Sequence, residues 1–127
     1  MSEVKKGYIY TETDEWVKVD GNEVLIGITD YAQHHLGDIV FVEITAEGKT
    51  IKKGDVLTTI ESVKSANDVF SPVSGKVLAM NTKLEEDSGL INKDPYNEGW
   101  IARIQLANPE ELSTLMQDED YHQYRKE

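Results

Sequence analysis

The chain has no cysteine, which excludes disulfides, a thiol nucleophile and zinc–thiolate sites and fits a reducing compartment. Basic residues are scarce: 13 Lys and Arg against 24 Asp and Glu leave a formal charge of −11. A nucleic-acid ligand needs a basic footprint, so composition argues against one. The acidity instead suits solubility and steering toward basic patches on partners, through polar contacts that dissociate readily. Long apolar runs are also missing. Those present, such as Val24 to Ile28, are far too short to span a bilayer. Met1-Ser2-Glu3-Val4-Lys5-Lys6 has neither an apolar signal core nor an arginine-rich transit pattern. The expectation is therefore a chain that stays where it is made: the cytoplasm of a bacterium or archaeon, or the mitochondrial matrix for a processed eukaryotic chain. No Gly-x-Ser-x-Gly elbow is present. His34 and His35 are adjacent, so their rings diverge on a helix, and His122 is remote; no metal site is expected. At 127 residues the length suits one domain, 1–127, able to bury roughly two-thirds of its unfolded surface.

What is present reads mainly as strands and turns. Tyr8-Ile9-Tyr10-Thr11 and Trp16-Val17-Lys18-Val19 are strand-like. Asp20-Gly21 is a hairpin turn, and Val24-Leu25-Ile26-Gly27-Ile28 reads as a buried strand. Thr29 and Asp30 both offer N-cap oxygens for a short helix, with Gln33 placed for a capping box if Asp30 is the cap. Gly37 ends that helix, and Ile39 to Ile44 makes the next strand. Asn92 to Gly99 is loop. Trp100, Ala102, Ile104 and Leu106 alternate on one strand face. The C-terminal segment near 109–125 turns helical. Asn108 caps, Pro109 takes the first position, Leu112, Leu115 and Met116 form one stripe, and Asp118 caps a second short helix carrying Tyr121 and Tyr124.

Lys64 is the most informative residue. It sits in Glu61-Ser62-Val63-Lys64-Ser65-Ala66-Asn67-Asp68, between Val56-Leu57-Thr58-Thr59-Ile60 and Val69-Phe70-Ser71-Pro72. Val56, Ile60, Val63, Asn67 and Phe70 also fall near helical spacing, but β-branched density favours a hairpin near 56–71. Val63-Lys64 is poor chemistry for a tight primed turn, although a type I turn accepts it. Taken alone, such a lysine is an ordinary surface residue. An amine at the apex of a rigid hairpin also suits covalent attachment of a swinging cofactor arm, because another enzyme's active site can reach it.

This stretch resembles the attachment site of the glycine cleavage system H proteins. Further strings resemble the same family, in its order: Gly27-Ile28-Thr29-Asp30-Tyr31-Ala32-Gln33, Leu36-Gly37-Asp38-Ile39-Val40-Phe41-Val42-Glu43, Ser71-Pro72-Val73-Ser74-Gly75 and Asp94-Pro95-Tyr96-Asn97-Glu98-Gly99-Trp100. The resemblance implies a mainly β fold, a flattened lipoyl-type barrel or sandwich with short helices. It implies lipoic acid in amide linkage to Lys64, supplying redox sulfurs that a cysteine-free chain lacks. The implied role is a carrier rather than a catalyst. It would take an aminomethyl group from glycine decarboxylase to the aminomethyltransferase and be reoxidised by dihydrolipoyl dehydrogenase. A lipoyl ligase or lipoyltransferase would load it, and it would act as a monomer.

In such carriers Glu61, Ser62 and Asp68 are expected to help the attaching enzyme recognise the turn; otherwise they solvate a hairpin. A loaded arm carries a cationic amine on a water-labile thioether, so a shelter should hold carboxylates and exclude solvent. Glu15, beside Trp16, and Asp68 are the candidate acids, with Thr13 as a hydroxyl acceptor and His35 as a cleft residue. Glu15 also reads as a surface charge, Asp68 as a turn residue, and His35 as a helix-end residue favoured by the dipole. Where the family usually has His-Glu-Trp, this chain has Asp14-Glu15-Trp16. If Asp14 faces the cleft, it should tighten the hold on a cationic arm; if it faces solvent, the change means little. Competing readings are a lipoyl relay protein donating lipoate to other enzymes, a stand-alone lipoyl or biotinyl module, and a purely structural acidic domain. Biotinyl modules place Met on both sides of the lysine; here Val63 and Ser65 flank it.

Overall fold

A computed structural model describes residues 2–126. Its strands are β1 (Ile9–Tyr10), β2 (Glu15–Asp20), β3 (Glu23–Ile28), β4 (Ile39–Val42), β5 (Thr50–Ile51), β6 (Val56–Ser62), β7 (Ala66–Phe70), β8 (Gly75–Met80), β9 (Ala102–Leu106) and β10 (Met116–Gln117). Short helices α1 (Asp30–Leu36), α2 (Lys83–Glu86), α3 (Leu90–Lys93) and α4 (Asp118–Tyr124) punctuate them, with a 3-10 helix at Pro109–Thr114. A seven-stranded sheet runs β10-β1-β2-β3-β9-β8-β5, and a three-stranded sheet runs β4-β6-β7. All described pairings are antiparallel. The result is the open two-sheet, half-barrel arrangement with few short helices that the sequence led us to expect.

The core lies between the sheets. Val17, Val24, Ile26, Ile101 and Ile104 from the large sheet side meet Val42, Leu57, Ile60 and Val69 from the small one. β3 is buried along its last three residues, not on one face only, because Trp16 covers its other side. Gly27 permits this close approach: a Cβ there would stand 2.6 Å from the Trp16 ring. A second cluster of Tyr10, Trp16, Tyr96 and Tyr121 lies beside the main core. Tyr10 and Tyr121 stack at 4.5 Å and tie α4 to the sheet, while the Trp16 indole N–H donates to the Pro95 carbonyl at 2.9 Å.

Several local expectations are corrected. The first hairpin turns at Gly21-Asn22, since Asp20 already pairs with Glu23; positive φ falls on Gly21 but not on Asn22, the preference of a type II′ turn. Thr29, not Asp30, caps α1 by accepting from the Ala32 N–H. Asp30 instead accepts from the Gln33 side-chain amide at 2.8 Å. The strand expected over Ile39 to Ile44 ends at Val42. Asn92 belongs to the helical turn α3, not to loop. The C-terminal stripe is not one α-helix: the 3-10 helix ends at Thr114, and Met116 is a strand residue opposite Tyr10. Asp118 is the first residue of α4 and Gln117 its cap position. Gly37 closes α1, as its sequence position suggests, with its N–H on the Gln33 carbonyl.

Candidate functional site

β6 and β7 form the hairpin, and residues 63–65 form its tip. No tip residue takes positive φ, so the absence of glycine is no obstacle. Ser62 shapes the turn: its hydroxyl oxygen accepts from the N–H groups of Lys64 (3.3 Å) and Ser65 (3.2 Å). The tip does not stand free. The Val63 N–H donates to the Asp38 carbonyl at 3.0 Å, and the Lys64 side chain lies over Gly37, where a Cβ would come within 3.2 Å of its Cε. Lys64 is exposed. Asn92 braces the surface under it. Its amide donates to the Gln33 side chain and the Gly37 carbonyl, each at 2.9 Å, and its oxygen accepts from the Ile39 N–H at 2.9 Å. The expected neighbours Glu61 and Asp68 are exposed beside the tip; Asp68 accepts from the Thr59 hydroxyl at 3.1 Å.

Two cavities adjoin this hairpin. One, of about 320 Å³, lies between α1, β7 and the C-terminus, and Thr13, Asp14, Tyr31, His35, Asn67 and Arg125 contribute to its wall. The other, of about 380 Å³, is lined among others by Tyr10, Thr11, Thr13, Glu15, Phe70 and Met116. Thr13 belongs to both. Of the four shelter candidates, Thr13 and Glu15 therefore meet in one cavity, and Thr13 and His35 in the other. Asp68 lines neither. It alternates with Asn67 along β7, and Asn67 is the residue that faces the smaller cavity.

Glu15 is buried, with 2% of its surface exposed. Its Oε1 accepts from the Thr11 hydroxyl at 2.6 Å and the Thr13 hydroxyl at 2.5 Å, and its Oε2 from the Phe70 N–H at 3.3 Å. Burial pushes its carboxyl above the ordinary range, and the three donors pull it part of the way back. All three donors are neutral, so its negative charge, once formed, is uncompensated.

Asp14 is placed differently from either expectation. It borders the smaller cavity, yet both its oxygens are taken. Oδ1 accepts from Arg125 Nε at 2.8 Å and the Tyr121 hydroxyl at 2.8 Å, and Oδ2 from Arg125 Nη2 at 2.9 Å. Asp14 is also the one non-glycine residue with positive φ among the described residues, at 73°. Arg125, Asn67 and Asn92 are site residues that sequence reasoning missed. Arg125 carries no motif, Asn67 stood unremarked inside the attachment-site string, and Asn92 was absorbed into a turn-rich string.

Comparison with known proteins settles the kinship. The family model for the glycine cleavage H-protein matches residues 8–127. The chain belongs to that family. It is 54% identical over 122 residues to the glycine cleavage system H protein of Coprothermobacter proteolyticus, covering 95% of this chain and 96% of that one. It is 46% identical to the corresponding protein of Carboxydothermus hydrogenoformans over 127 residues, 100% and 98% of the two chains. A crystal structure of a glycine cleavage system H protein from Mycobacterium marinum superposes with a TM-score of 0.86 at 30% identity, covering 94% of this chain and 97% of that one. Members of this family are carriers, not catalysts in their own right.

Proposed function

We propose that this chain is the lipoyl-bearing shuttle of a glycine cleavage system, with Lys64 as the attachment point. It works with glycine decarboxylase, aminomethyltransferase and dihydrolipoyl dehydrogenase, as the family role requires. The observation that carries the Lys64 assignment is its placement: an exposed amine at the apex of a hairpin braced by Ser62, Asp38 and Asn92, whose second strand lines two cavities through Asn67 and Phe70. The residues fit a covalently attached arm. The amine is accessible for amide formation, the support beneath it is a glycine without a side chain, and Ile28, Ala32 and Leu36 give the smaller cavity an apolar floor. Bound lipoate would supply a dithiolane that is reduced as it takes up the aminomethyl group.

This chain's own residues then hold and protect. Glu61, Ser62 and Asp68 at or beside the tip serve recognition by a lipoyl ligase, and Ser62 fixes the loop that presents Lys64. Thr13, shared by both cavities, and Glu15 offer a hydroxyl and an uncompensated carboxylate to a cationic amine. His35 and Asn67 wall the approach. Asp68, outside both cavities, keeps the recognition role rather than a sheltering one. The carrier acts as a monomer, and its bacterial relatives favour the bacterial cytoplasm as its place of work.

The test is reconstitution. Lipoylated protein, mixed with the three enzymes, should support glycine-dependent methylene transfer, and Lys64→Arg should abolish it. Lipoylation without any glycine-dependent transfer would favour the relay reading instead.

A further inference from the structure

The C-terminal turn brings a cation to the smaller cavity, where Asp14 stands next in sequence to the Glu15 of the other. Arg125 meets Asp14 through two parallel N–H to oxygen contacts, the fork geometry that Arg forms with a carboxylate. Its guanidinium lies over two rings, 4.6 Å from the centroids of Tyr31 and Tyr124. Nη2 also donates to the Glu12 carbonyl at 3.1 Å, where the Tyr124 hydroxyl donates too. Tyr121 completes the arrangement, with its hydroxyl within 2.8 Å of Asp14 and 2.7 Å of the Thr29 hydroxyl. The pair is partly buried, with 26% of the Arg125 and 16% of the Asp14 side chain exposed, so solvent screens it less than a surface pair.

We propose that Arg125 is a positioning residue for the 11–15 turn: by pairing with Asp14 it offsets the charge that Asp14 would otherwise set against the adjacent Glu15. Asp14 and Glu15 each accept three hydrogen bonds, but only Asp14 has a cationic donor; Glu12 and Lys53 are the other charged residues that line the cavity of Glu15. The clamp also holds the 11–15 turn. Asp14 is kept at φ 73°, its N–H on the Thr11 carbonyl and its own carbonyl on the Thr29 N–H. That turn is what carries the Thr11 and Thr13 hydroxyls to Glu15. Without Arg125, Asp14 would be an unpaired carboxylate beside Glu15, and like charge resists ionisation of its neighbour. The functional consequence rests on the shelter reading above; the electrostatic claim does not.

The experiment uses the full chain without lipoate and follows the Glu15 side-chain carboxyl by carbon-13 NMR titration. Arg125→Gln should raise the Glu15 midpoint by roughly 0.5 pH unit, a partial like-charge shift. Asp14→Asn, which leaves Arg125 as an unpaired cation, should lower it. The double variant should return close to wild type, and Arg125→Lys should stay near wild type because the charge is kept although the fork is lost. A merely structural role would change melting temperature and leave these opposite shifts absent. An unchanged Glu15 midpoint in both single variants overturns the proposal, as does a double variant that keeps the Arg125→Gln shift. If Arg125→Gln fails to fold, the sign of the Asp14→Asn shift alone decides. Should the midpoints move as stated while release of a loaded amine does not, the charge arrangement stands and the shelter reading falls.

Discussion

Gly37→Ala tests how the lysine is seated. Gly37 ends α1 at φ 77° and ψ −158°, a region that is essentially closed to residues with a Cβ. Holding alanine there costs about 1–3 kcal/mol. The added Cβ would also come within 3.2 Å of Lys64 Cε, but that atom is near the end of a flexible chain and can move aside. The backbone effect therefore dominates. The residue cannot relax freely, because its N–H is bound to the Gln33 carbonyl and its C=O to the Asn92 amide. A central loss of about 2 kcal/mol in a chain of this length lowers Tm by roughly 6–10 °C. Scanning calorimetry on unmodified protein measures this. The Lys64 amine stays exposed, so lipoyl acceptance by a ligase below the melting range should match wild type. A Tm within about 1 °C of wild type would refute the claim that glycine is required by the backbone here. Loss of lipoyl acceptance in folded protein would refute the claim that the clash is absorbed by the lysine.

Three further outcomes follow from the same structure. Burial raises the Glu15 carboxyl above its ordinary value of 4.5, so the folded state holds that proton more tightly than the unfolded state. The resulting stability is present below 4.5 and is lost as pH rises through the folded value; Glu15→Gln lacks this loss. Wild type should therefore lose ground to the variant in paired melts as pH rises past the ordinary value of 4.5, and a constant difference would contradict it. Gly27→Ala puts a Cβ 2.6 Å from the fully buried Trp16 and should destabilise by about 1–3 kcal/mol or more in denaturant titration. Asn92→Ala leaves the Ile39 N–H, the Gly37 carbonyl and the Gln33 amide oxygen without this partner; each buried loss costs about 1–3 kcal/mol, and hydrogen exchange at Ile39 should accelerate.

The central hairpin was legible because Val56 to Ile60 carries β-branched density before Lys64 and the family resemblance decided strand over the helical spacing that the same residues also fit. Gly37 as the helix stop and the buried β3 run were equally readable, since each rests on local chemistry. What was not legible is what distance in sequence conceals. β1 and β10 have two residues each, too few to display a period. Leu112, Leu115 and Met116 match a helical stripe, yet pairing of Met116 with Tyr10 overrides it. The Asp14–Arg125 pair joins residues 111 positions apart, and no local pattern announces it. Glu15 was found through its neighbour Trp16, but its burial and its neutral partners depend on β7 and the 11–15 turn. Asp68 was assigned to the cleft because it lies near Lys64 in sequence; strand alternation places Asn67 there instead.

The central claim is that Lys64 carries the arm. Intact mass and peptide mapping after incubation with lipoate, ATP and a lipoyl ligase test it most directly. The account predicts one lipoyl adduct, on Lys64, and none in Lys64→Ala, which should fold normally. An adduct elsewhere, or none while another H protein is modified in parallel, would contradict it.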